Sequence, residues 1–150
     1  MNRYASLGVF LLVVVGAGMA IGIATPPGEW YAGLAKPAFN PPNWLFAPVW
    51  TVLYILIAIV GWRTWRRNPS GLAMKLWFVQ MALNFAWSPV FFAAHDTAAA
   101  LVIIILLLAM ILWFIDTVRS HDRPSALMFA PYAVWVAFAT LLNLAILYLN

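Results

Sequence analysis

Residues 97–115, TAAALVIIILLLAMILWFI, run for nineteen positions without one charged side chain. A helix of about twenty apolar residues crosses the hydrocarbon core of a bilayer, so this stretch reads as a transmembrane span. Working outward, the charged residues bunch so as to leave four further windows, 4–28, 37–62, 76–95 and 124–150. Lipid offers no partner to an open backbone, so each span must satisfy its own hydrogen bonds as a helix. The expectation is an all-α membrane protein: a bundle of five transmembrane helices at about 4–24, 44–65, 72–94, 98–118 and 124–149, forming one domain over 1–150. A long loop, 26–43, separates the first two. Composition agrees, with 66% hydrophobic and 8% charged residues and a mean hydropathy of +0.94, far from a soluble domain. Arg3 before an apolar run also suits a cleaved secretory signal, but the run is long and no polar domain follows it.

The charge of +4 would suit nucleic acid, yet its placement reads as topology. With five spans, Arg3, Arg63, Arg66, Arg67, Lys75, Arg119 and Arg123 share one side and only Lys36 lies on the other. By the positive-inside bias the N-terminus is cytoplasmic, with the long loop and C-terminus opposite. The inner membrane of a bacterium is expected, since helical bundles insert there. No nucleic-acid partner is expected. The absence of cysteine excludes disulfides and thiolate metal sites, and no metal site or cofactor is expected.

Polar residues inside spans need a partner or a wet cavity. Gln80, Asn84 and Ser88 lie at i, i+4 and i+8 on one face of the third span, Tyr132, Trp135, Ala139 and Asn143 share a face of the fifth, and Trp50 and Tyr54 are one turn apart in the second. Asn84 and Asn143 have two open readings: interhelical packing bonds, or the wall of a ligand cavity. Trp62, Trp65 and Trp77 at one boundary, with Trp30 and Trp44 at the other, suit an aromatic belt. Trp50, Trp87 and Trp135 lie roughly 10 Å or more inside their spans, as core or as pocket. Ala82, Ala86 and Ala93 form a small-residue face away from Asn84, suited equally to a homodimer contact or to packing within the chain. Gly18-xxx-Gly22 would let a neighbouring helix approach.

The loop itself is unusual: six of the ten prolines fall between Pro26 and Pro48, beside Trp30, Tyr31, Phe39 and Trp44. Proline restricts the chain and lowers the entropy lost on ordering. A stiff aromatic loop over a cavity mouth reads as a lid.

The strings W-Y-x-x-L-x-K-P (30–37), P-P-x-W (41–44), P-V-W-T-x-L-Y (48–54), L-N (83–84), W-x-P-x-F-F (87–92), P-Y-x-x-W (131–135) and F-A-T-x-L-N (138–143) closely resemble the TspO/MBR family, which includes the bacterial tryptophan-rich sensory proteins and the mitochondrial translocator protein, or peripheral benzodiazepine receptor. The resemblance implies a five-helix bundle, usually dimeric, with a pocket roofed by the first loop. It implies binding of porphyrins such as protoporphyrin IX, as carrier, buffer or sensor, and in some members of sterols and synthetic drugs. Carried over by position, the ligand-binding residues are Tyr31, Trp50, Tyr54, Asn84, Ser88, Phe91, Trp135, Ala139 and Leu142. Light-dependent degradation of protoporphyrin IX in some members implies a catalytic role for Trp50 and Trp135, if this chain is an enzyme.

Two departures bear on the ligand. The mitochondrial sterol motif needs a tyrosine followed by a basic residue in the fifth span, where this chain has Leu144 and no later basic residue; sterol binding through it is not expected. Ile103 stands where many relatives carry an acid. His95 and His121 lie in loops on opposite sides, so metal-free porphyrin suits the chain better than haem. Asp116 reaches Arg119 by i, i+3 spacing and reads as a surface pair. A membrane carrier or sensor leads, ahead of a porphyrin-degrading enzyme and of a regulatory partner for another membrane protein.

Overall fold

The computed structural model describes residues 2–150. Five long helices are apolar enough to cross a membrane: α1 (Arg3–Ala24), α3 (Phe46–Arg67), α4 (Leu72–Ser88, continued by a π-helical turn, Pro89–Ala93), α5 (Thr97–Val118) and α6 (Arg123–Leu149). A one-turn helix, α2 (Glu29–Ala32), and a 3₁₀ turn at Asn43–Leu45 lie within the first loop. Neighbouring helices are α1 with α3, α3 with α6, α6 with α5 and α5 with α4, and α4 returns to touch α3 and α1.

Short connections fix this order. Asp96 caps α5 by accepting from the Ala99 N–H at 2.9 Å. His95 before it takes φ 57°, a left-handed corner between α4 and α5. At the other end, the Asn68 side chain accepts from the Ser70 N–H in the α3–α4 turn. Pro89 lacks an N–H and its ring crowds the preceding turn, so the end of α4 relaxes to wider bonding, with the Ala94 N–H donating to the Pro89 carbonyl at 2.9 Å.

The core is aliphatic and aromatic, with Ile57, Ala58, Val60, Ile111, Phe114, Phe129 and Val136 fully enclosed. The outer surface is equally apolar: Leu12, Ile23 and Val134 are each more than 70% exposed, as lipid-facing side chains are. Between such helices, close packing and hydrogen bonds rather than water exclusion provide cohesion. Gly61 illustrates it, because a Cβ there would collide with the Trp77 indole, whose N–H donates to the Ile57 carbonyl at 3.0 Å. Gly18 is likewise enclosed, against the Tyr54 ring, whereas Gly22 has open space beside it.

The belt reading of the basic-end tryptophans needs correction. Trp62 and Trp77 turn inward and are buried, and only Trp65 is exposed. Trp62 donates to Ser6 Oγ at 3.0 Å, so both buried indoles join helices. An enclosed N–H needs an acceptor, and each finds one on the neighbouring helix.

Candidate functional site

The loop between α1 and α3 is docked onto the ends of α4, α5 and α6. Tyr31, on α2, is buried and meets the rings of Phe91 and Phe92 edge-on at 6.3 and 5.4 Å. Both phenylalanines lie in the π-helical turn. Trp30 stacks on the His95 imidazole at 4.2 Å and 9°. Asn150 clamps the loop through two bonds, accepting from the Ala35 N–H at 3.0 Å and donating to the Ala35 carbonyl at 2.9 Å. Farther on, Phe39 lies 6.1 Å from Phe138. Lys36 lies 4.6 Å over the Tyr31 ring and donates to the Leu34 carbonyl. Burial pushes the Tyr31 phenol up, partly offset by its hydrogen bond to Asn40.

Below the loop, the polar side chains of three helices form a chain. Tyr54 donates to Asn84 Oδ1 at 3.1 Å, Asn84 Nδ2 donates to the Tyr132 hydroxyl at 2.7 Å, and Tyr132 donates to Gln80 Oε1 at 2.7 Å. The Gln80 Nε2 group has no hydrogen-bond partner among the described residues. Asn143 accepts from the Trp87 indole at 3.0 Å and donates to the Thr97 carbonyl at 2.9 Å, joining α6 to α4 and α5. Both asparagines therefore make interhelical bonds. Ser88 pairs with Thr25 at 2.7 Å, tying the end of α1 to α4.

The nine residues singled out from the sequence thus fall into distinct settings. Tyr31 and Phe91 belong to the loop contact, Tyr54 and Asn84 to the polar chain, and Ser88 to the α1–α4 bond. Ala139 and Leu142 are buried on α6. Trp50 and Trp135 are half-buried; Trp50 lies 5.5 Å from Tyr54, and Trp135 is flanked by Phe46 and Phe138 at 5.8 and 5.7 Å. The Trp135 indole N–H is enclosed yet has no hydrogen-bond partner among the described residues.

Sequence reasoning missed the contributions of Phe46, Phe138, His95 and Asn150. The i+3 step from Trp135 to Phe138 was available as a signal, but nothing in the sequence pairs Asn150 with Ala35 or Trp30 with His95.

A model of the TspO/MBR family matches residues 9–149. The chain belongs to the TspO/MBR family. It is 39% identical to the tryptophan-rich protein TspO of Chlorobaculum tepidum, over 93% of this chain and 95% of that one. With the tryptophan-rich sensory protein of Cereibacter sphaeroides it shares 35% identity over 100% of this chain and 95% of the relative. The human translocator protein is 32% identical over 77% of this chain and 71% of its own. In this TspO/MBR protein the motifs W-Y-x-x-L-x-K-P and W-x-P-x-F-F meet where the loop docks on the end of α4, P-V-W-T-x-L-Y and P-Y-x-x-W supply Tyr54 and Tyr132 to the polar chain below it, and five apolar helices make it a multi-pass membrane protein.

Proposed function

We propose that this chain is a binding protein for a protoporphyrin-like tetrapyrrole, acting as carrier, buffer or sensor, with the ligand held beneath the first loop by the nine residues above. The observation that carries the reading is the Trp135 indole N–H, enclosed among Phe46 and Phe138 and lacking an acceptor. A buried donor without a partner is costly, and a ligand acceptor beside it would relieve that cost. Flat conjugated rings suit the half-buried indoles of Trp50 and Trp135, since offset and edge-on contacts between aromatic faces are favourable. Entry requires the loop to lift, and its clamps are few and local: Asn150 on Ala35, Trp30 on His95, and Tyr31 on Phe91 and Phe92.

The same reading takes the chain as one domain with its basic end in the cytoplasm of a bacterial cell, spanning the inner membrane. It takes the protein as a homodimer through α4, where Ala82 and Ala93 are exposed and Ala86 is half-buried, a smooth surface for a second copy.

The test is titration of the purified protein with protoporphyrin IX in the dark, followed by tryptophan fluorescence, on wild type and on Trp50→Phe/Trp135→Phe. Saturable quenching that weakens roughly tenfold in the double variant is expected, because the Trp135 N–H donor is lost and both stacking rings shrink, together about 1.4 kcal/mol. Identical, unsaturable quenching in both proteins would refute the site. Loss of porphyrin absorbance under illumination in wild type alone would move the reading to light-dependent degradation through those two tryptophans.

A further inference from the structure

We propose that a groove at the basic end of the bundle, between the start of α1 and the last turns of α3, binds the phosphate headgroup of an anionic membrane lipid. Arg3, Trp62, Arg63, Arg66 and Arg67 line this open groove of about 310 Å³. It lies at the far end of the protein from the first loop and is independent of any ligand held there.

The charge balance around it is uneven. Arg63 donates to Asp122 at 2.7 Å and Arg67 lies 3.5 Å from the same carboxylate. The other ion pair among the described residues, Arg119 with Asp116, stands apart. Arg3 and Arg66 take part in no ion pair among the described residues. Four guanidiniums therefore face one carboxylate, an excess of 4 − 1 = 3 positive charges.

Topology alone asks only for basic residues near the ends of spans. It does not ask for arginines from two helices around a shared groove with an aromatic wall. That wall is Trp62, which is fixed across the helix pair by its bond to Ser6 on α1 and carries the Arg66 guanidinium 5.2 Å from its ring centre. Arg63 is held from behind by Asp122 and by Ser125 Oγ at 3.3 Å. The inner part of the groove is thus pre-organised, while the exposed Arg3 and Arg66, which rest over the Tyr4 and Trp62 rings without an ion-pair partner among the described residues, keep their charge available to an anion. Guanidinium forks match phosphate oxygens in pairs.

A lipid fits better than free phosphate because of what adjoins the groove. The first turns of α1 carry Tyr4, Val9, Leu12 and Val13, all substantially exposed and apolar. Tyr4 adjoins Arg3 in the first turn, and the other three lie farther along α1 and round its lipid-facing side, apolar surface within reach of the acyl chains of a headgroup seated at Arg3. Basic pockets at the cytoplasmic ends of transmembrane helices recognise anionic headgroups by this combination.

The experiment is native mass spectrometry of the purified chain titrated with dioleoylphosphatidylglycerol, with dioleoylphosphatidylcholine in parallel. Arg3→Gln/Arg66→Gln is compared with Lys75→Gln/Arg123→Gln, which removes equal charge at the same end but outside the groove. Phosphatidylglycerol should be retained by wild type in preference to phosphatidylcholine. Its affinity should fall roughly thirtyfold in the groove variant, the effect of two near-surface basic residues, and less than about threefold in the other. Equal weakening in both variants would mean a diffuse field and overturn the site, as would no weakening in the first. Displacement of the lipid by millimolar inorganic phosphate would assign the groove to free phosphate and overturn the lipid assignment.

Discussion

Replacing Tyr132 by phenylalanine removes one oxygen and leaves the packing volume almost unchanged. That oxygen accepts from Asn84 Nδ2 and donates to Gln80 Oε1, both at 2.7 Å. Gln80 and Tyr132 are wholly buried and Asn84 is nearly so, so no solvent can take the place of the hydroxyl. Asn84 keeps its bond from Tyr54. Gln80, whose Nε2 already lacks a partner, is left with an amide bonded to nothing. Interhelical hydrogen bonds in membranes average about 0.6 kcal/mol and reach about 1.7. Two such bonds, both short and both enclosed, put the expected loss near 2 kcal/mol, or about thirtyfold in the unfolding equilibrium. The assay is reversible unfolding of wild type and Tyr132→Phe in mixed micelles of rising dodecyl sulfate content, followed by tryptophan fluorescence and by helicity, whose agreement tests two-state behaviour. Adding Gln80→Leu to Tyr132→Phe should restore part of the stability, because replacing both partners removes the stranded group. A loss below about 0.5 kcal/mol in the single variant, with no rescue in the double, would refute the polar chain as a source of cohesion.

Two further outcomes follow from the ends of the bundle. Burial alone would raise the Asp122 carboxyl, but the hydrogen bonds from Arg63 and Ser125 and the charges of Arg63 and Arg67 outweigh it and hold the group below its ordinary value of 3.8. Its contribution is therefore complete above that value and is lost as pH falls below it. Asp122→Asn should cost roughly 2 kcal/mol at pH 7, less than a fully buried pair, because Arg63 remains partly exposed. The stability gap between wild type and variant should then close below about pH 4, and a gap unchanged at pH 2 would contradict the ion pair. At the opposite end, Asn150→Ala removes both bonds to Ala35; hydrogen exchange of the Ala35 amide should quicken about tenfold, and an unchanged rate would show that Asn150 does not hold the loop.

Much of the fold was legible because hydropathy is a local property. Each span announces itself by its own composition and length, as 97–115 does, whatever surrounds it. The polar faces of the third and fifth spans were legible for the same reason, since helical periodicity places Gln80, Asn84 and Ser88 together without reference to a neighbour. The family motifs were equally readable, being strings of residues.

Partnership was not. The sequence by itself determined five apolar helices, the basic character of one end, and a stiff aromatic loop at the other. Only the tertiary structure decided that Asn84 bonds Tyr132, that Trp62 and Trp77 face inward on Ser6 and Ile57, that Trp30 stacks on His95, and that Arg3 shares a groove with Arg66. Hydropathy and periodicity assign a residue to a face of its own helix. Which partner that face meets depends on how far each helix is rotated, tilted and shifted against the next, and those quantities are set jointly by close contacts such as Gly61 against Trp77 and Gly18 against Tyr54.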